Sequence, residues 1–533
     1  MRYPRRYCLF AIAAVMNSTP LLADSWSEGN YPPDDKSIVI GETNLPIVFI
    51  DTRNGSTDAN PIHKDFRVAA RMKIISNADG VNYGDTLAHP GQHIDYEGWV
   101  GIKYRGNTSF VLSDKKPFGF RTLKTNDVAG KKDNVEILGM PKDNNWVMLA
   151  PYHDRSLIRD VLTFELGRPY FEYTPRMRYC EVILDGIYYG IYIIGERVSK
   201  GKGRLNLETP GDSGDELTGD YQVEIDRADE DHVYLSKYRA RDKNGNTLLI
   251  NNEVYYHYKF PEYDDMIPDH PEQLRYLQSR LDAMEDALNS QDFANPDTGY
   301  RQYIDIQSFI DQQLTQEFCL NSDAYGLSTN LYKYRDSVDA RFKTALWDFN
   351  LAYGNHMFET LFKDSWGFYR SLLVRIFSVA PIPFWWARLM EDPDYVSLFK
   401  ERWFEYRRTN YSENNITQTI DSLTTMLAVS GALERNFKAW PTLNKFISPA
   451  AIPPNGNTYE KEINRLKAWI HERMTWMDRQ LGYDAQGITR PHEPLGKQVA
   501  GYYNLQGLKT SPATNGPVIV RFNDGTSRII YHQ

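Results

Sequence analysis

The 533-residue sequence contains few cysteines and few long apolar segments. Three cysteines are too few to organise a chain of this length as a disulfide scaffold. Beyond the first 23 residues, no apolar run approaches the ~20 residues that a membrane-spanning helix requires. No long Gly/Ser-rich or Pro-rich linker divides the chain. With 41% hydrophobic and 25% charged residues, the sequence therefore predicts one large globular domain with small appendages and no transmembrane segment.

The sequence also has no excess of positive charge. Its formal net charge is -9 at pH 7, so the backbone of a nucleic acid would be repelled, and we expect no nucleic-acid partner. Two phosphate-binding motifs are missing, namely the Gly-rich loop that ends in Lys-Ser or Lys-Thr and the Gly-x-Gly-x-x-Gly fingerprint. A nucleotide site in this chain would therefore have to be built in another way.

The N-terminus has the layout of a secretory signal peptide. Arg2, Arg5 and Arg6 precede an apolar run at 8–16, and the small residue Ala23 is followed by a polar segment. The apolar run is too short to span a bilayer. Its cysteine lies inside the run and not at its exit, which disfavours a lipid-anchored product. We therefore predict that residues 1–23 are removed and that the protein is exported to the periplasm, the cell surface or the extracellular medium.

Two cysteines remain after this cleavage, and an oxidising compartment would permit a bridge between them. Cys180 alternates with Val182 and Leu184 in a strand pattern, whereas Cys319 falls in an apolar helical pattern. Both are therefore interpreted more simply as buried thiols. A disulfide stays the open alternative.

The periodic segments predict an α+β protein with a β-rich N-terminal lobe followed by a helical C-terminal lobe. Residues 24–94 form a β-rich segment in which strand-like runs are broken by Gly, Asn and Pro. Farther along, Asp154 is a candidate N-cap for a helix, and Asp185-Gly186 between two strand-like runs predicts a tight hairpin.

Helical spacing dominates after Pro271, with helices expected at 271–290 and 304–321. Two strands, 329–334 and 342–347, interrupt these helices. Residues 495–533 form a separate β-hairpin module around the turn residues 523–525. This module loosely resembles C-terminal modules of bacterial proteins exported by the type IX route, so a sorting tail and a plain accessory hairpin are both open interpretations.

Polar side chains at the ends of these elements form one candidate site. Asp323 follows a helix, Asn330 begins a strand, and Asp348 and Asn350 end the next strand. Phosphoryl transfer needs a carboxylate that orients the hydroxyl nucleophile and oxygen ligands that hold Mg²⁺ against the phosphates. Carboxylate and amide oxygens suit that ion. The alternative is that these residues only cap turns.

A second candidate site combines a glycine turn with basic residues. Arg105-Gly106-Asn107 lies between two strand-like runs, and Lys115-Lys116 precedes the second of them. A glycine turn lets backbone amides approach an anion, and a lysine on a strand can neutralise nucleotide phosphates. We expect Lys116 to be exposed, with little role in packing. An ordinary turn with solvated lysines is the alternative.

Five blocks of residues, taken in order, resemble the CotH (spore-coat protein H) kinase family. The resemblance covers roughly residues 95–360, and the helices up to about 480 are compatible with it. We therefore place a CotH kinase-like domain at 95–485. The blocks are Arg105-Gly-Asn-Thr-Ser with Lys115-Lys116, Asp154-Arg155-Ser-Leu-Ile-Arg159, Glu181-Val-Ile-Leu-Asp-Gly-Ile-Tyr-Tyr-Gly-Ile-Tyr with Glu196, Asn321-Ser-Asp323, and Trp347-Asp348-Phe-Asn.

The resemblance implies an atypical protein-kinase-like fold that uses ATP and Mg²⁺ or Mn²⁺ to phosphorylate serine hydroxyls of a protein substrate. The implied roles are assigned residue by residue. They are Asp323 as the catalytic base, Asp348 as the metal-binding aspartate, Lys116 or the adjacent Lys115 as the lysine that contacts the phosphates, and Glu196 near the nucleotide. From the residues themselves, Asn330 or Asn350 is added as a further metal ligand and Arg105 as a nucleotide-binding residue.

The sequence departs from the family pattern at two positions. The fifth residue after the base is Ser328 where family members resemble Asp-x-x-x-x-Asn, and Asn350 stands where a second acidic residue is expected. A pseudokinase or binding module on the same fold is therefore an alternative. A glycoside hydrolase with a carboxylate pair is a weaker one, because Trp385, Trp386 and Trp403 lie in helical apolar patterns that predict core positions.

Overall fold

The computed structural model describes residues 29–228, 232–242, 244–248, 252–357, 363–369, 381–484, 499–503, 509–511, 516–522 and 527–532. The predicted signal peptide, residues 1–23, lies outside the described residues. The described chain is a mixed α/β protein, rich in strands throughout its first half and with most of its helices in the second. This confirms the predicted order of strands and helices at the coarse level.

A closed seven-stranded barrel forms the first half of the protein. Its strands follow the order β10-β11-β9-β6-β5-β3-β2, and a parallel pairing of β2 with β10 closes it. The sequence did not predict this closure, because it pairs strands that lie far apart in the chain. The strands of this half are β1 (Glu42–Thr43), β2 (Ile47–Asp51), β3 (Val68–Ile75), β4 (Asn82–Tyr83), β5 (Ile94–Tyr104), β6 (Phe118–Leu123), β7 (Val135–Ile137), β8 (Met140–Asp143), β9 (Asn145–Leu149), β10 (Met177–Leu184) and β11 (Ile187–Glu196).

Alternation of side chains separates the inside of the barrel from its outer face. On β5, Val100, Ile102 and Tyr104 are buried in the barrel core together with Phe118 and Trp146. Successive side chains of a strand point to opposite faces, so the residues between them on β5 face outward. The outward face of β5, β6 and β9 is therefore available to form one wall of a site.

A second, five-stranded sheet follows in the order β13-β14-β12-β15-β16. Its last two strands correspond to the predicted strands 329–334 and 342–347 and pair antiparallel. A short helix, not a plain turn, connects them. The strands of this sheet are β12 (Tyr221–Asp226), β13 (Val233–Leu235), β14 (Tyr255–Phe260), β15 (Thr329–Lys333) and β16 (Lys343–Ala345).

The predicted helices at 271–290 and 304–321 are present, as α5 and α6 below. Trp385, Trp386 and Trp403 are fully buried, which confirms that they belong to the core. The helices are α1 (Thr108–Val111), α2 (Arg159–Gly167), α3 (Gly214–Leu217), α4 (Tyr263–Met266), α5 (Pro271–Asn289), α6 (Ile306–Cys319), α7 (Asp336–Asp339), α8 (Trp385–Leu389), α9 (Pro393–Arg408), α10 (Glu413–Ala428), α11 (Ala432–Ala439) and α12 (Tyr459–Leu481), with 3-10 turns at Tyr300–Gln302 and Gly367–Tyr369.

Two local predictions can be compared directly. The hairpin at Asp185-Gly186 is confirmed: both residues have positive φ, at 51° and 84°, as the two central residues of a type I′ turn require. The helix expected from Asp154 begins instead at Arg159. Asp154 stabilises the preceding turn, because its carboxylate accepts the N–H of Ser156 at 2.9 Å and that of Arg159 at 2.9 Å.

The predicted boundary between residues 94 and 95 does not divide the structure. Strand β5 runs through it, and β2 and β3 belong to the same barrel as the later strands, so both segments form one unit.

The C-terminal module contains a three-stranded antiparallel sheet of β17 (Val499–Tyr503), β18 (Gly516–Phe522) and β19 (Ser527–His532), one strand more than the predicted hairpin. The turn residues 523–525 lie outside the described residues. Among the described helices, none has the length and apolarity to cross a membrane.

Of the described residues, Cys180 and Cys319 carry the thiol groups. Both are completely buried, and no disulfide joins them. Cys180 lies in the barrel core and Cys319 in the core of the helical half. The interpretation of both as buried thiols is thereby confirmed.

Candidate functional site

A cleft of about 370 Å³ lies between the outer face of the barrel and the second sheet. Five of the seven predicted site residues line it together: Arg105, Asp323, Asn330, Asp348 and Asn350. The chain thus brings together residues from the start of β15 and from the segments that directly follow β5, α6 and β16.

Basic side chains form the barrel wall of the cleft. Lys103 and Arg105 lie on the outward face at the end of β5, and Arg67 and Arg197 come from the residues that precede β3 and follow β11. Arg67 donates to the carbonyl of Gly119 at 2.9 Å. Burial, with Arg121 and Arg197 nearby, lowers the pKa of Arg67 to about 10, so this wall holds cations that repel one another.

The second sheet contributes both carboxylates and basic residues, because Lys259 and Arg227 also line the cleft and Lys259 Nζ lies 3.0 Å from a carboxylate oxygen of Glu224. On β12, Tyr221, Val223 and Ile225 are buried in the core, so the alternating residues Glu224 and Asp226 face the cleft. Burial followed by the charge of Glu224 raises the pKa of Asp226 to about 6. The second sheet thereby presents two acids to the basic wall of the barrel.

Asn321 connects the two loops that carry Asp323 and Asp348. Its side-chain Oδ1 accepts the N–H of Asp323 at 3.3 Å, and its Nδ2 donates to the carbonyl of Asp348 at 2.8 Å. Asp348 has φ of 59°, a left-handed conformation that is uncommon outside glycine and often marks functional sites. The side chain of one residue thus connects the loop of the predicted base, Asp323, with that of the predicted metal ligand, Asp348.

The carboxylate of Asp348 is in a strongly acidic environment. Burial raises its pKa well above the ordinary value, and the nearby Asp160 and Asp323 raise it further, while Arg105 opposes the effect. Arg105 also lies over the indole of Trp347, 5.5 Å from the ring centroid. Such a cluster favours the approach of an additional cation.

The two predicted amide ligands are already hydrogen-bonded. Asn330 accepts from Gln222 at 3.0 Å through Oδ1 and faces Glu224 across the β12–β15 pair. Asn350 donates through Nδ2 to Asp348. A carboxamide oxygen has two lone pairs, so Asn330 can accept a second interaction, and Asn350 orients the Asp348 carboxylate.

This donor set fits a metal ion that arrives with a nucleotide. Within the described ranges, no three His, Cys, Asp or Glu side chains form a cluster that could hold a metal by themselves. Mg²⁺ usually binds through one or two carboxylates together with phosphate oxygens and water. Asp348 lies near Asp323 and the β12 acids. Its carboxylate could therefore supply the protein ligand of such a metal ion.

Lys116 and Glu196 do not line the cleft. Lys116 is buried, with 5% exposure, which corrects the expectation of an exposed lysine. Its Nζ donates to the carbonyl of Phe110 at 2.5 Å and lies 4.9 Å from the rings of both Phe110 and Tyr31. Glu196 is buried and paired with Arg176 at 2.8 Å.

We predict that Lys116→Ala destabilises the fold and leaves nucleotide affinity close to that of the parent. The substitution removes a buried hydrogen bond and two cation–π contacts, which together contribute about 1–3 kcal/mol. Chemical denaturation and calorimetric titration with ATP measure the two quantities. The exposed Lys131→Ala is the matched control. A loss of ATP affinity at unchanged free energy of unfolding would instead show that Lys116 takes part in nucleotide binding.

Nine of the twelve charged residues that line the cleft were not among the predicted site residues, and four of these nine lie in or directly beside segments with a recognisable sequence pattern. Glu224 and Asp226 were detectable as the polar face of a strand whose other residues are apolar. Arg197 follows Glu196 directly, and it is Arg197 that lines the cleft. Asp160 follows the block that ends at Arg159, and it lines the cleft from helix α2.

The fold and the site define a mixed α/β protein in which a barrel and a second sheet enclose a cleft lined by basic and acidic side chains. The family model described as CotH kinase protein matches residues 102–477. Because this match spans most of the chain, the protein belongs to the CotH family, as its five sequence blocks predicted. No curated protein matches the chain.

Proposed function

We propose that this protein is an exported kinase that transfers the terminal phosphoryl group of ATP to serine hydroxyls of a protein, with Mg²⁺ or Mn²⁺. The observation that carries the proposal is one cleft that combines the basic side chains of the barrel with the carboxylates of Asp323, Asp348, Glu224 and Asp226. Phosphates need cations, and a divalent metal needs carboxylates. The family supports a kinase-like function, and the cleft supplies the residue types that this chemistry requires.

The charge of the cleft suits a metal–nucleotide complex. Seven Lys and Arg residues and five carboxylates line it, so the basic residues exceed the acidic ones by two. A metal-bound nucleoside triphosphate keeps a net negative charge, which this excess attracts. The barrel wall, with Arg105 and Arg197, is the side on which the phosphates would lie.

The protein's own residues then have separate tasks. Asp323 accepts the proton of the serine hydroxyl as its oxygen bonds to the terminal phosphorus and the bond from that phosphorus to ADP breaks. Arg105 and Arg197 neutralise the phosphate oxygens. Asp348 would hold the metal with Asn330 or Asn350. When bound, the metal supplies charge neutralisation at the transferred group.

Incubation of the parent protein with labelled ATP and Mg²⁺ or Mn²⁺ tests the proposal. Label should appear on the protein itself or on a serine-rich substrate, and chelation of the metal should abolish it. The alternative of a pseudokinase is supported by one observation, namely that neither Lys116 nor Glu196 reaches the cleft. Metal-dependent ATP binding without any transfer would establish that alternative instead.

The export proposal rests on the arginines, the short apolar run and Ala23 at the N-terminus. We expect mass spectrometry of the protein recovered outside the cytoplasm to show a mature N-terminus near Asp24. A variant in which the three arginines are replaced by neutral residues should accumulate uncleaved. An intact Met1 on a cytoplasmic parent protein would contradict the proposal.

A further inference from the structure

Helix α2 holds the chain segment 347–353 that carries Asp348. Arg159 donates through Nε to the carbonyl of Ala352 at 3.0 Å, and the hydroxyl of Thr163 lies 3.0 Å from that of Tyr353. These contacts fix the far end of the segment. Two further residues of the same helix reach the Asp348 turn itself.

Asp160 makes the direct contact with that turn. Its Oδ1 accepts the N–H of Phe349 at 2.6 Å. The Asp160 side chain is buried, with 7% exposure for the residue, so the bond is shielded from water and is expected to be strong. The neighbouring carbonyl, that of Asp348, is held by Asn321 from the other side. Polar side chains therefore bind both the carbonyl and the N–H of the peptide group that joins Asp348 to Phe349.

Phe164 adds an apolar contact one helical turn after Asp160. Its ring meets the ring of Phe349 edge to face at 5.8 Å and lies 6.3 Å from Trp347. Residues four apart share one face of a helix. One face of α2 therefore contacts both neighbours of Asp348, which are Trp347 and Phe349. A non-glycine residue at positive φ costs of order 1 kcal/mol or more and persists only where its surroundings fix it.

We infer that Asp160 is a positioning residue, which keeps the Asp348 turn in its left-handed conformation by accepting the Phe349 N–H and so directs the Asp348 carboxylate into the cleft. The inference rests on the proposed function for its catalytic consequence. Asp160 acts through its acceptor oxygen and not as a ligand of the metal. Supporting residues of this kind typically affect metal affinity or activity by about 10–100-fold.

Two substitutions separate the acceptor from the charge. Asp160→Asn keeps an oxygen that can accept the Phe349 N–H, whereas Asp160→Ala removes it. Glu165→Gln is the matched control, because Glu165 lies on the same helix, away from the cleft, and pairs with Arg168. Each variant is tested as the full chain for denaturant stability, Mn²⁺-dependent nucleotide binding, phosphotransfer and amide hydrogen exchange.

We expect Asp160→Ala to raise the metal concentration for half-maximal nucleotide binding about tenfold or more, while Asp160→Asn stays within about threefold of the parent. Rescue by the asparagine variant distinguishes positioning from ligation. If Asp160→Asn is as impaired as Asp160→Ala, the charge is required and the inference is wrong. Parent-like behaviour of Asp160→Ala would also overturn it.

Hydrogen exchange separates this inference from the proposed function. The Phe349 amide should be protected in the parent and in Asp160→Asn, and should exchange faster in Asp160→Ala than the global stability of that variant predicts. A parent that transfers no phosphate would remove the proposed function and leave this measurement valid. Unchanged protection of Phe349 in Asp160→Ala would contradict the positioning role, whatever the activity.

Discussion

Asp323→Asn is expected to slow phosphotransfer by ~10²-fold or more while ATP still binds with nearly parental affinity. Asp323 lies in the loop after α6 and lines the cleft, and its backbone N–H is held by Asn321. The substitution keeps the shape of the side chain and removes the carboxylate that accepts the hydroxyl proton. Single-turnover rates and ATP titrations, both with saturating metal, measure the two effects separately.

The control for this prediction is Asp58→Asn, the same chemical change at an exposed position. It should leave both rate and affinity unchanged. If Asp323→Asn keeps the parental rate, Asp323 only stabilises its turn and is not the catalytic base. The base would then be another carboxylate of the cleft. A loss of ATP affinity equal to the loss of rate would instead place Asp323 at the metal.

The linear blocks identified the acidic centre of the site because its residues are close in sequence to recognisable element ends. Asp323 follows a helix and Asp348 follows a strand, and such positions project side chains into a shared loop region. Asp323 and Asp348 are also close enough in the chain for both to fall within the recognised sequence blocks. The motif could not reveal that Asn321 bridges the two loops, since that contact depends on tertiary packing.

The basic wall was harder to predict, because strand parity decides which of two neighbours faces a site. A shift by one residue moves a side chain to the opposite face of a strand. Glu196 pairs with Arg176 while Arg197 lines the cleft. In the other block, Lys116 is buried against Phe110, and Arg105 reaches the cleft. Of the predicted residues in these two segments, Arg105 therefore lines the cleft, whereas Lys116 and Glu196 do not.

The barrel itself could not be derived from local patterns. Its closing pair joins β2 to β10 in parallel, and the intervening chain includes most of the other barrel strands. Strand patterns predict that strands exist, whereas the partner of each is selected by burial of both faces over the whole sheet. The same limit explains why residues 24–94 looked like a separate segment.

Asp348→Asn is expected to fail differently from Asp323→Asn. Metal-dependent ATP binding and turnover should fall together, by ~10-fold or more, because the charge that holds the metal against the phosphates is lost. Binding measured without metal should change little. Titrations of parent and variant with ATP in the presence of Mn²⁺, and again with a chelator, supply this comparison.

The stability of Asp348→Asn distinguishes a functional defect from a folding defect. In the parent, Asp348 is repelled by Asp160 and Asp323, so removal of its charge relieves repulsion in the metal-free protein. The amide can still take part in the hydrogen bond with Asn350, and the Asp348 carbonyl still accepts from Asn321. We therefore expect the metal-free variant to unfold at the same or a higher denaturant concentration than the parent. Added Mn²⁺ and ATP should stabilise the parent more than the variant, because a ligand shifts unfolding in proportion to how tightly it binds the native state. Equal stabilisation of both proteins would show that Asp348 does not hold the metal.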